Sequence, residues 1–217
     1  MTVRAALRAA LGDTYRFSLR LLVVNTALSV AIVLVVLVVS YLPLALLLAP
    51  FLAGPLVGAL VHCTLLLVDG EDFRLADAVD GARRHWRRSF ALGGLFGVAL
   101  LSGATGIAFY TSPGHRVLPL AVLCAYVVAL VCLLLLIAWP LAVAHADDPL
   151  VVALRDAWSL FLHSPVRVLG LGAALLVVNV LGAITVLPLL TLTIAYSFLA
   201  AARLVRPRLP HRQGATV

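Results

Sequence analysis

Residues 21–68 form a run of 48 positions without an Asp, Glu, Lys or Arg. As a single helix rising about 1.5 Å per residue, the run would reach roughly 70 Å, over twice the ~30 Å hydrocarbon core of a bilayer. It must turn once. Tyr41-Leu42-Pro43, Pro50 and Pro55 are its strong breakers. They predict a span near 21–41, a turn or short broken helix over 43–50, and a second span near 51–68.

The same arithmetic divides the rest of the chain. A third span is expected near 90–110, closed by Thr111-Ser112-Pro113-Gly114, and a fourth over 117–143, interrupted at Trp139-Pro140. The last uncharged stretch, 168–202, holds 35 residues. That is too long for one crossing and just long enough for two of about 17 residues, with the turn between Gly182 and Pro188. The expected fold is an all-α polytopic membrane helix bundle of about six transmembrane helices with two cytoplasmic amphipathic helices. Residues 1–20 read as a cytoplasmic Arg-rich amphipathic segment, 21–205 as a single transmembrane helical domain, and 206–217 as a cytoplasmic basic tail. No cleaved signal peptide is read at the start, because a short apolar segment followed by a small-residue cleavage site is missing.

Charge supports the class and sets the orientation. Only 12% of residues are charged, about half the share of a soluble domain, and 64% are apolar. All 16 basic residues are Arg, a usage that points to a G+C-rich bacterial genome. Arg4, Arg8, Arg16 and Arg20 precede the first span; Arg74, Arg83, Arg84, Arg87 and Arg88 lie between the second and third. Arg155 and Arg167 lie between the fourth and fifth, and Arg203, Arg206, Arg208 and Arg212 follow the sixth. Only Arg116 falls on the other side, so an even number of crossings gathers 15 of 16 on one face. Excess Arg in short loops marks the cytoplasmic side. The reading is a multi-pass cell-membrane protein with both termini in the cytoplasm and only tight turns outside.

Two cytoplasmic segments carry patterned side chains. Asp69-Gly70-Glu71-Asp72 reads as a helix stop and a new cap at Asp72, followed by a helix over 73–88 with Leu75, Val79, Ala82 and Trp86 along one side. Arg83, Arg84, Arg87 and Arg88 crowd its last turns. Asp148-Pro149 begins a comparable helix with Leu150, Leu154, Trp158 and Phe161 on its apolar side. The candidate contacts to anionic headgroups or to a partner are therefore Arg83, Arg84, Trp86, Arg87, Arg88 and Trp158. The basic runs are too short for nucleic acid to be a partner.

Within the spans the chemistry is sparse. All nine acidic residues fall in cytoplasmic segments, which argues against an ion- or proton-coupled pump. Asn25, His62 and Asn179 are the candidate intramembrane polar residues, read first as hydrogen-bonding groups between helices. Cys63, Cys124 and Cys132 lie in apolar runs and read as small fillers. Gly54-x-x-x-Gly58 and Gly93-x-x-x-Gly97 offer close-packing faces. His145 with Asp147 and Asp148 reads as a solvated turn and helix cap. No metal-ligand cluster, nucleophile elbow or P-loop spacing is present, so no enzyme activity, cofactor or metal is expected.

Gly54-Pro55 with Ala59-Leu60, then Asp69-Gly70-Glu71-Asp72, then Arg83-Arg84-His85-Trp86-Arg87-Arg88-Ser89-Phe90, resemble the bacterial YesL family of polytopic membrane proteins. The later run Ala153-Leu154-Arg155-Asp156-Ala157 with Ser164-Pro165-Val166-Arg167 resembles that family's second cytoplasmic segment. The resemblance spans most of residues 20–205. It implies a Gly-Pro start to the second span and a basic-aromatic helix before the third. It also implies an accessory role in carbohydrate uptake, because genes of that family often neighbour those of sugar ABC transporters; it implies no catalytic residues. The leading expectation is thus a non-enzymatic accessory or scaffold protein, with a transporter permease as its membrane partner. The alternative is a small transporter or channel, acting alone or as a homo-oligomer; a third is an intramembrane enzyme centred on His62 or His145.

Overall fold

The computed structural model describes residues 2–41, 45–71, 74–114, 116–185 and 193–206. Among them there are eight α-helices and no strand: α1 (Val3–Arg16), α2 (Ser18–Tyr41), α3 (Ala45–Asp69), α4 (Leu75–Thr111), α5 (Leu118–Ala144), α6 (Leu150–His163), α7 (Pro165–Thr185) and α8 (Ile194–Val205). Among the described residues, α3, α4, α5 and α7 contain stretches long and apolar enough to cross a membrane, and α8 is a shorter apolar helix.

Several boundaries differ from those expected. Residues 45–50 are helical, and Pro50 and Pro55 lie inside α3 instead of ending a turn. In an apolar bundle a proline can stay in a helix, because neighbouring helices cover the backbone it disturbs. Here α4 does so: Gly97 packs against the Pro50 ring and Gly93 against the Pro50 carbonyl. Likewise α5 runs through Trp139-Pro140 to Ala144 without interruption. The amphipathic segment over 73–88 and the third span are one helix of 37 residues, about 55 Å long. No proline separates them, and α3 supports both parts. At the far end of the chain α7 passes through Gly182 to Thr185. Pro188 lies outside the described residues, as does Asp72.

The turn between α3 and α4 is a Schellman motif. Gly70 adopts φ +86°, a left-handed conformation that costs glycine little. Its N–H donates to the Leu67 carbonyl at 3.1 Å, and the Glu71 N–H donates to the Leu66 carbonyl at 3.0 Å. α4 then opens with the Asp77 carboxylate accepting the Arg74 N–H at 2.6 Å. Such a tight reversal lays α4 back along α3. α6 starts at Leu150, one residue later than Pro149 at the first helical position would require, with Pro149 at its N-cap.

The α3–α4 seam is built of small residues every fourth position. A Cβ on Gly54 would overlap the Ser89 carbonyl, one on Gly58 the Ser89 hydroxyl, one on Gly81 the His62 side chain, and one on Gly93 the Pro50 carbonyl. Phe51 and Phe90 meet beside the seam with ring centroids 4.9 Å apart. In lipid, where helices gain little from hiding apolar surface, such close backbone approach is the main source of association.

The dense core sits at one end of the bundle. Residues 59–68 of α3 are buried except His62, as are 135–143 of α5 except Leu136, and nearly all of α8. α1 adds the buried Ala6 and Ala10, and α6 adds Ala153 and Ala157. By contrast Leu118, Leu123, Tyr126 and Val127, toward the other end of α5, are exposed. The segment 1–20 is not a detached arm. Tyr196 Oη of α8 donates to the Leu7 carbonyl at 3.3 Å, and Arg203 pairs with Asp13, its Nε donating to Oδ2 at 2.9 Å.

This packing predicts opposite outcomes for two glycine substitutions. Gly93→Leu forces the seam apart and should lower the unfolding free energy in detergent by about 2 kcal/mol or more. Gly12→Ala, with nothing within 4 Å of the added Cβ, should stabilise α1 by roughly 0.5–1 kcal/mol. Thermal or denaturant unfolding followed by circular dichroism reads both.

Candidate functional site

The seam brings polar side chains together at the well-packed end. The rings of His62 and His85 lie 5.4 Å apart, tilted by 41°, across the α3–α4 contact. His85 is 3% exposed and Ser89, one turn further on, is 1% exposed. The Ser89 hydroxyl faces Gly58 and has no hydrogen-bond partner among the described residues; the same holds for the buried Trp139 Nε1. His62 is one of the polar residues the sequence places within a span, whereas His85 stands in the basic run Arg83-Arg84-His85-Trp86. The pattern that marks His85 is the four-residue spacing Gly81, His85, Ser89, Gly93, Gly97, which sets small and polar residues in one row along α4. Among the described residues no group of three or more His, Cys, Asp or Glu side chains is placed to hold a metal ion. Two imidazoles can exchange a proton, but they are one ligand short of the usual three-residue catalytic metal site.

The other intramembrane candidate with a described side chain joins two helices. Asn179 Nδ2 donates to the Leu175 carbonyl at 2.8 Å and to Ser197 Oγ at 3.0 Å, and that hydroxyl donates onward to the Thr193 carbonyl at 2.8 Å. The link ties α7 to α8. The Asn25 side chain lies outside the described part of the structure.

The arginines at the end of the basic segment take two different roles. Arg88 turns toward α5, where its guanidinium donates to the carbonyls of Ala142 (3.3 Å), His145 (2.7 Å) and Asp148. A cation at a helix C-terminus meets the negative end of the helix dipole and satisfies carbonyls that have no partner within the helix. Arg88 is thus a cap supplied by one helix to another. His145 is part of the same turn, its Nδ1 3.1 Å from the Leu141 carbonyl, and the Asp148 N–H donates to the His145 carbonyl at 3.2 Å. Asp147 and Asp148 are exposed on this loop.

Arg83, Arg84 and Arg87 remain exposed, without a carboxylate partner among the described residues. The Arg87 guanidinium sits 5.4 Å from the Trp86 ring centroid. Trp86 is 50% exposed, and Leu75, Val79 and Phe90 beside it are also uncovered. On α6, Trp158 stacks on Phe161 at 5.7 Å and is 45% exposed, next to exposed Val151 and Leu162. On α4 the expected apolar side is largely open at Leu75, Val79 and Trp86, while Gly81 and His85 face the core; on α6 Leu150, Leu154 and Phe161 of the expected side pack against the core with Ala153 and Ala157, and Trp158 is the exposed member. Compared with family models, curated proteins and solved structures, the chain matches none.

Arg88→Gln should weaken the α4–α5 junction by about 2 kcal/mol, because two to three charge-assisted bonds to helix-end carbonyls are lost. Arg87→Gln, one residue away, should change unfolding by less than about 0.5 kcal/mol. Parallel unfolding curves in detergent test the contrast; equal losses for the two would refute the capping role.

Proposed function

We propose that this chain is a non-enzymatic membrane protein that acts as an accessory or scaffold. In this reading α2, α3, α4, α5 and α7 supply five crossings, the uncharged stretch that ends in α8 supplies the sixth, and both termini lie in the cytoplasm. The observation that carries it is the pair of tryptophan-bearing helices, α4 and α6, whose inner sides are packed while their outer apolar sides stay uncovered. Surfaces of this kind seat a protein against headgroups or against a neighbouring membrane protein. The resemblance to the YesL family adds a class of neighbour, a permease subunit of a carbohydrate ABC transporter.

A small transporter or channel would need the chain to break near Pro50–Pro55 and Gly182–Pro188 to line a path. α3 is continuous through the first pair, and α7 is continuous through Gly182.

Affinity-tagged protein extracted in mild detergent should retain a permease partner. The double variant Trp86→Ala/Trp158→Ala should lose most of it while remaining folded and in the membrane fraction. A chain that retains no partner, yet by itself carries solute across liposome membranes, would overturn the proposal. Reporter fusions at the two ends should both map to the cytoplasm; opposite compartments would overturn the six-crossing topology.

A further inference from the structure

We propose that the outward face of α4 formed by Arg83, Arg84 and Arg87 is a binding site for the headgroup phosphate of an anionic phospholipid. The inference deepens the membrane reading above and rests on it. Its starting point is level, not charge alone. Arg88 is tied to the carbonyls of Ala142, His145 and Asp148, so this turn of α4 stands at the height of the α5–α6 loop. That loop exposes Asp147 and Asp148, and a pair of ionised carboxylates does not sit in hydrocarbon. The loop therefore lies at the boundary, and Arg88 with it.

Arg84 and Arg87 lie within about one helical turn of Arg88, and Arg83 is about 7.5 Å from it along the axis, a gap its long side chain can bridge. The headgroup layer is roughly 5–7 Å thick on each side, so all three guanidinium groups fall within reach of lipid phosphates. At 100° per residue, Arg84, Arg87 and Arg83 occupy adjacent sectors covering about 100° of the helix circumference. Their side chains can thus converge on one ligand. None is within ion-pair distance of a carboxylate among the described residues; exposed Asp80, one turn earlier on the same side, offsets one of the three charges and leaves the group net positive.

The sector beside Arg83 is apolar: Phe90, Val79, Trp86 and Leu75 follow in order around the helix, and all four are exposed. Trp86 has the amphipathic character that places tryptophan at the headgroup level, and its ring holds the Arg87 guanidinium alongside. Of these, Phe90 and Trp86 lie within two residues of Arg88, so the phosphate donors stand next to a surface that acyl chains can reach, as a phospholipid requires. An acidic peptide or a nucleic acid would leave Phe90 and Trp86 uncovered.

The test is lipid retention by the purified full-length protein. Detergent micelles containing equal phosphatidylglycerol and phosphatidylcholine are exchanged for lipid-free detergent, and bound lipid is counted by native mass spectrometry. Wild type should keep phosphatidylglycerol over phosphatidylcholine by about tenfold or more. Near an anionic surface each arginine contributes roughly fivefold. Arg83→Gln/Arg84→Gln/Arg87→Gln should therefore remove the preference, and Arg83→Lys/Arg84→Lys/Arg87→Lys should keep most of it. Arg4→Gln/Arg8→Gln/Arg16→Gln, which removes the same charge from α1, should change retention by less than about twofold.

Equal loss in the α1 and α4 glutamine variants would overturn the site in favour of general attraction. So would a wild type that retains both lipids alike, or one that carries an acidic protein on this face with no lipid. If the triple glutamine variant does not fold, Arg87→Gln alone should lower the preference about fivefold, and an unchanged ratio there refutes the proposal. A chain absent from the membrane fraction would fail the underlying reading, whereas one present there without lipid preference would fail this inference alone.

Discussion

The close approach of α3 and α4 is the contact on which the rest of the structure depends. Glycines at 54, 58, 81 and 93 remove the side chains that would hold the two backbones apart, and Pro50, His62 and Ser89 occupy the space. Dispersion between atoms in van der Waals contact is weak per pair and large along a seam of this length. The seam also backs α4 along two regions of opposite character, which form one continuous helix. Its arginine-rich first part and its apolar second part lean on one partner helix, so there is no joint at which the chain could bend into the membrane plane.

From that seam the other contacts follow in sequence. Once α4 is fixed, Arg88 reaches the C-terminus of α5 and neutralises carbonyls that would otherwise be left open where α5 meets the loop. α6 then lies against α5 through Ala153 and Ala157, and α1 is joined to α8 by Asp13 and Arg203. The arginines therefore divide by partner. Arg88 and Arg203 bond within the protein, while Arg83, Arg84 and Arg87 face outward. Sequence alone puts all of them in one basic class.

How far the sequence was legible follows the same division. Helix lengths and the uncharged runs mark out α5 and the ends of α2 and α4, because hydrocarbon thickness limits how long an uncharged stretch can be. Gly70 as the stop of α3 is equally plain, since the turn needs a left-handed residue. Pro50, Pro55 and Pro140 misled for a physical reason: local propensity treats proline as a breaker, yet packing against glycines or in a buried helix end overrides it. The His62–His85 pair was half visible, since His85 looks like one more polar letter in a basic run until the four-residue stripe on α4 is paired with the stripe on α3. The cap made by Arg88 was not legible, because it joins positions 54 to 60 residues apart.

Gly93 is the midpoint of α4, with 18 positions on either side of it. A rigid rod pressed against a neighbour near its centre behaves as an equal-armed lever. A displacement at Leu75, 18 positions before Gly93, would be returned at Thr111, 18 positions after it, with opposite sense and similar amplitude. Contact made on one arm would in this way register, or impose, a tilt at the opposite end of the helix without any hinge in between.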